Sequence, residues 1–171
     1  MKPLVSLFLG LLLAGCAGDI PRAIREAPAE TVLPAEVLDA PEAWRGRAVR
    51  WGGDIVSVEN HKDETWIEIV EKPLYPSGEP RRTDSSRGRF LAVVPGFLDP
   101  AVYARKRSIT VAGMLEAPIS RTIGEYLYRY PVVRVASHYL WPAEPAAVHH
   151  YYYYDPWWPY PWRYDRPPPR K

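Results

Sequence analysis

The sequence predicts a mainly β fold: a small five-stranded, OB-like barrel with one short helix, flanked by segments that add nothing to its core. Three observations lead there. Between Leu38 and Trp141, apolar residues alternate with polar ones in short runs separated by Pro, Gly and polar turns. The first run is interrupted by the pair Gly52-Gly53, and the one convincing helix start lies between the third run and the fourth.

The first strand spans Ala48 to Val58, with Val49 and Trp51 alternating against Arg50. The glycine pair inside it marks a bulge or sharp bend, the device by which a first strand pairs with two neighbours. After a polar turn at 59–64, Thr65 to Glu71 forms the second strand, with Ile67 and Ile69 on one face and Trp66 and Glu68 on the other. Pro73, Pro76 and Pro80 then forbid regular pairing. The resulting loop of about 18 residues is long enough to suggest a functional role. Arg89 to Val94 is a third, nearly continuous apolar strand. Asp99 is a good N-cap and Pro100 a good first helical residue, predicting a short helix to about Arg105. Ser108 to Glu116 alternates cleanly as the fourth strand, Pro118 to Pro131 reads as a connection, and Val132 to Leu140 closes the series. Three strands, a short helix and two strands is the OB-type order, with an open sandwich of the same strands as the alternative. Closure would hide edges that five short strands otherwise expose.

Composition excludes several classes. A chain of 171 residues supports one ordinary core. Lys and Arg number 22 against 20 Asp and Glu, with no long cationic run, so a nucleic-acid partner is not expected. A single cysteine rules out an intramolecular disulfide and a zinc site of several thiolates. The 20 prolines are unevenly spread, seven of them in residues 143–171 beside six Tyr and three Trp. That stretch has no aliphatic period and is expected to be a disordered, polyproline-leaning tail.

The N-terminus reads as a targeting segment. Lys2 precedes an apolar run of ten residues, 4–13, far short of the roughly 20 that a membrane-spanning helix needs. It ends in Leu13-Ala14-Gly15-Cys16, which resembles the lipobox of bacterial lipoproteins. Cys16 would then carry the lipid, since a thiol is nucleophilic enough to take a diacylglyceryl group. By the sorting rule of enterobacterial lipoproteins, Ala17 at the next position implies the outer membrane. Residues 17–34 hold Pro21, Pro28 and Pro34 without an apolar period and read as a flexible tether. The expected organisation is a signal peptide at 1–15, an acylated tether at 16–36, the barrel at 37–142 and the tail at 143–171.

Several motifs then point to a family. They are Arg50-Trp51-Gly52-Gly53, Lys72-Pro73-Leu74 before Gly78, Ser86-Arg87-Gly88-Arg89-Phe90, Phe97-Leu98-Asp99-Pro100 with Tyr103, Thr110-Val111-Ala112-Gly113, Ile123-Gly124-Glu125-Tyr126, and Tyr130-Pro131-Val132-Val133. In this order and spacing they resemble the Slp family of starvation-inducible outer-membrane lipoproteins, from the lipobox to Trp141. The resemblance implies a lipid-anchored protein of the outer membrane, its domain facing the periplasm, linked to stationary-phase or stress physiology and without an agreed molecular activity. One departure is Lys106, where the pattern expects a glycine before the fourth strand.

Catalytic chemistry has little support. No nucleophile, base and orienting acid are named by any motif. Glu68 and Glu125 would suit an acid and base pair, or simply an outward strand residue and a partner for a loop arginine. His149-His150 with Asp155 lacks a preorganised metal geometry, so no metal or cofactor is expected. Binding is the stronger theme. Arg87, Arg89, Arg121, Tyr126 and Tyr128 are the candidate ligand residues, placed to meet carboxylates, phosphates or sugar rings of envelope glycans. The alternative has Tyr126 and Tyr130 covering the barrel end, and Arg89 paired with Asp84 or Glu125. The expected function is therefore a non-catalytic structural or interaction lipoprotein. Its partners are membrane lipid, through the acyl chains, and an envelope protein or glycan; a glycan-binding module is the second reading.

Overall fold

The alternation that marks the first strand carries through Ala48–Asn60 (β1), which sends Val49, Trp51 and Ile55 inward and Arg50, Gly52 and Asp54 outward. The remaining strands are Glu64–Glu71 (β2), Arg89–Pro95 (β3), Ser108–Ile123 (β4) and Tyr126–Leu140 (β5). This computed structural model describes residues 20–143; the lipobox with Cys16 and all of the aromatic tail beyond Ala143 lie outside the described residues. The strands close a ring in the order β1-β2-β3-β5-β4. Neighbours are antiparallel except β3 and β5, which run parallel through Leu91↔Val132 to Val93↔Arg134. Trp51 meets Phe90 edge-on at 5.2 Å inside the ring, among Ile55, Ile67, Ile69, Val111 and Val133.

β1 does pair on both sides: Gly53 faces Glu71 of β2 and Ile109 of β4. The register shift, however, falls between Ile55 and Ser57 rather than at the glycines. Gly53 is required for closeness, because a Cβ there would overlap the Val70 carbonyl.

Three expectations are corrected. The helix expected from Asp99 is a single turn: Asp99 accepts from Ala101 N–H through its carboxylate (2.8 Å) and from Val102 and Tyr103 N–H through its carbonyl. The chain then turns inward, because Tyr103 and Leu98 pack on the core instead of continuing a helix. The connection expected between Pro118 and Pro131 is a continuation of the β4–β5 ladder out to Ile123↔Tyr126. Both prolines fall in the register shift between Glu116 and Ile119, where a missing N–H interrupts no ladder bond. Finally, the stretch expected to be a tether packs on the barrel from its first described residues. Arg22–Arg25 (α1) buries Ile24, Val32 and Pro34 are buried as well, and Pro34–Asp39 (α2) and Pro41–Trp44 (α3) lead on into the barrel. Arg50 donates to the Ile24 and Arg25 carbonyls, both at 2.9 Å, and the Trp51 indole N–H donates to the Val32 carbonyl at 2.8 Å. Single apolar residues on one-turn elements leave no period to detect.

The continuous apolar character of β3 also finds its cause. Phe90, Ala92 and Val94 face the barrel interior, while Leu91 and Val93 join a second cluster with Tyr130 and Val132, flanked by Trp66, Ile119, Ile123 and Tyr128. The extended β4–β5 hairpin thus covers the outer face of β3, and both faces of that strand are dry.

Candidate functional site

Of the five candidate ligand residues, Arg89 and Tyr128 meet at one place, the outer face where β2 and β3 pair. Arg89 pairs with Glu68 rather than with Asp84 or Glu125: its guanidinium lies 2.7 Å from Glu68 Oε1. The Tyr130 hydroxyl donates to the same oxygen at 2.8 Å, and Ser57 Oγ to Oε2 at 3.3 Å. Tyr128 accepts from the Arg89 backbone N–H at 3.0 Å, and its ring stands edge-on to Tyr130 at 4.7 Å. Burial, then the hydrogen bond to Glu68, push the Tyr130 phenol up to about 12. The hydrogen bond to Glu68 raises the Arg89 guanidinium above its ordinary value. The node is a closed charge pair with a phenol donor that holds its proton.

The other three candidates are separate from it. Arg121 reaches back from β4 to Glu59 at 2.9 Å and lies over the Trp66 ring at 4.6 Å. Arg87 sits in the long loop, where its backbone N–H donates to Glu71 at 3.2 Å and its Nε lies 3.6 Å from the same carboxylate. Burial raises Glu71 despite this cation. Tyr126 stands 70% exposed at the hairpin tip beside Leu127, rather than covering the barrel end. Glu125 has no arginine partner among the described residues.

Two further arrangements bear on chemistry. The Tyr103 hydroxyl lies 2.9 Å from His138 Nε2, burial holds the imidazole below its ordinary range, and burial likewise raises the phenol. No third group joins them into a triad among the described residues. Among those residues, no group of three His, Cys, Asp or Glu side chains is placed to hold a metal ion.

The second arrangement is a polar cleft of about 370 Å³ that motif reading missed. Its floor is Asp54 of β1 and Ser108 of β4, paired across the strands, with Ser108 Oγ donating to Asp54 at 3.1 Å. Arg81, Arg82, Thr83 and Asp84 form one wall and Lys106 the other. Arg81 and Arg82 precede Arg87 and Arg89 by a few residues in the chain, but Glu71 and Glu68 of β2 hold the latter two away from the cleft. Only the departure at Lys106 hinted at this side of the molecule.

Comparison with known proteins now adds to this geometry. The chain is 31% identical over 167 residues to the uncharacterized lipoprotein YeaY of Escherichia coli (strain K12), covering 94% of this chain and 86% of that protein. It is 30% identical over 142 residues to the outer membrane protein Slp of the same strain, covering 82% and 74% respectively. No solved structure matches. The family description "Outer membrane lipoprotein Slp family" matches residues 13–168, a span that takes in the lipobox cysteine, the whole barrel and most of the aromatic tail. The matched span and both relatives agree with the motif order, and the chain belongs to the outer membrane lipoprotein Slp family.

Proposed function

We propose that this protein is a non-catalytic interaction lipoprotein of the cell envelope, held at the outer membrane by acyl chains on Cys16, with its domain facing the periplasm and a role in stationary-phase or stress physiology. The observation that carries the non-catalytic part is the fate of the candidate cations. Arg87, Arg89 and Arg121 are each matched by a carboxylate of the same barrel, Glu71, Glu68 and Glu59. Groups so engaged position strands and loops; they are not poised on a substrate. The ring order, the twice-paired β1 and the parallel β3–β5 contact support an OB-type barrel used as a binding scaffold.

The anchor is tested by Cys16→Ser. Without the thiol no acyl group attaches, and no helix among the described residues is long and apolar enough to cross a membrane. The variant is expected to leave the outer-membrane fraction and to lack the mass of the acyl chains. An unchanged fraction and mass would overturn the assignment. The glycan-binding reading keeps one observation, the exposed ring of Tyr126. It predicts that the full chain is retained on peptidoglycan or lipopolysaccharide and that Tyr126→Ala releases it; crosslinking that finds only protein partners decides against it.

A further inference from the structure

The polar cleft over Asp54 and Ser108 is built, not incidental. Its loop wall is tied down at several points. Lys72 Nζ donates to the Thr83 carbonyl at 2.6 Å, Arg81 N–H to the Pro73 carbonyl at 2.7 Å, and the buried Thr110 hydroxyl to the Gly78 carbonyl at 2.6 Å. Trp141 donates in turn to Thr110 at 2.9 Å, so the loop rests on the last residue of the barrel. The Arg81 guanidinium is laid on the Tyr75 ring at 4.9 Å, which orients it without neutralising it.

The opposite wall carries the more telling feature. Lys106 is the one non-glycine residue with a left-handed backbone among the described residues, at φ +66°. Such strain collects where a side chain is needed. The Lys106 ammonium has no hydrogen-bond or ion-pair partner among the described residues, nor does the Asp84 carboxylate facing the same space. The cleft therefore offers cations from Lys106 and Arg81, hydroxyls from Thr83 and Ser108, and the acceptors Asp54 and Asp84. Two cations alone would suit a bare anion. Adding two carboxylates suits a ligand with a phosphate at one end and a hydrogen-bond-donating cation at the other.

Position agrees with this chemistry. α1 packs on the same outer face, where Arg50 holds it, and Arg50 lies four residues before Asp54 along β1, about 13 Å. The four residues from Cys16 to Ile20 span at most about 14 Å. On the anchor reading, lipid attached at Cys16 therefore stays within about 14 Å of Ile20, two residues before α1. We propose that the cleft binds the phosphoethanolamine headgroup of a membrane phospholipid, its phosphate on Lys106 and Arg81 and its ammonium on Asp84 and Asp54. The lipid source of the headgroup rests on the anchor reading; the headgroup chemistry does not.

The test uses the purified full chain in uncharged detergent, titrated calorimetrically with glycerophosphoethanolamine, glycerophosphocholine and inorganic phosphate. Saturable binding is expected for the ethanolamine ester and weaker binding for the choline ester, whose quaternary nitrogen donates no hydrogen bond. Lys106→Gly and Asp84→Asn are each expected to weaken binding about fivefold. Lys106→Gly relieves the backbone strain, so a lost signal with a higher melting temperature cannot be ascribed to unfolding. Inorganic phosphate binding as tightly as the ester, indifference to both substitutions, or no saturation would each overturn the proposal. Micelles doped with phosphatidylethanolamine are expected to displace the soluble ester; failure to displace it would overturn the lipid source. Neither readout depends on whether Cys16 carries the anchor, which the acyl mass of the purified chain reports independently.

Discussion

Lys106 and Gly53 show two different reasons for a glycine, one satisfied and one not. A side chain in the left-handed region costs roughly 1–2 kcal/mol, partly offset by the entropy a glycine loses on folding. Lys106→Gly is therefore expected to stabilise the fold by about 0.5–1 kcal/mol, read as a rise in melting temperature. Gly53 has the reverse logic. Its φ lies outside the left-handed region, but a Cβ would overlap the Val70 carbonyl, and backbone cannot rotate away as a side chain can. Gly53→Ala is expected to cost about 3 kcal/mol or more, while Gly124→Ala at the open hairpin tip costs about 1 kcal/mol. Denaturant midpoints of the two variants, compared directly, check the contrast; equal losses would remove the argument from closeness.

At the scale of elements, the extended β4–β5 hairpin is held to β2 by the outer apolar cluster and by the hydroxyl of Tyr130 on Glu68. Because the folded phenol titrates near 12 and an unfolded tyrosine near 10, its contribution is complete below pH 10 and is lost as pH rises towards 12. The wild-type melting temperature is expected to fall across that window. Tyr130→Phe should flatten the fall and lower stability at pH 8 by about 2 kcal/mol, since a charged acceptor loses its donor. A slope identical in both proteins would show that the hydroxyl carries no linkage. Glu64 behaves in the opposite sense: the Trp66 indole and Arg134 hold its carboxyl below the usual range, so its contribution persists at neutral pH and fades only below the ordinary value of 4.5.

For the molecule as a whole, the decisive feature is that the segment leading from the expected anchor is part of the fold. Ile24 is fully buried, and its carbonyl is gripped by Arg50 while its backbone lies against Gly78. Ile24→Ala is expected to cost about 2–4 kcal/mol, as a buried residue does and a tether residue would not. A melting temperature within error of wild type would restore the tether. Packing this segment on β1 leaves only three residues, 17–19, between the expected anchor at Cys16 and the described chain. Were it flexible, the domain would roam some 20–25 Å from the surface.

Strand number, strand order and the inward residues of β1 and β2 are legible in the sequence, because period-two alternation over five or more residues is a strong local signal. Asp99 and Pro100 show the limit of such signals: the cap forms, but Tyr103 finds a better place against His138 than on a helix. The prolines at 118 and 131 mislead for the same reason, since only the pairing of β4 with β5 reveals that both fall where no ladder bond is lost. Ile24, Val32 and Val37 are lone apolar residues whose burial depends on a surface that exists only once the ring has closed. Charge partners are long-range in the same sense. Arg89 and Glu68 are 21 residues apart and Arg121 and Glu59 are 62, so sequence supplies the ionic groups and closure of the ring decides which of them neutralise one another. By itself the chain determined a lipobox-like motif, a β barrel and a family. Tertiary structure alone decided which charges pair, because pairing waits until distant strands have been brought within hydrogen-bond reach.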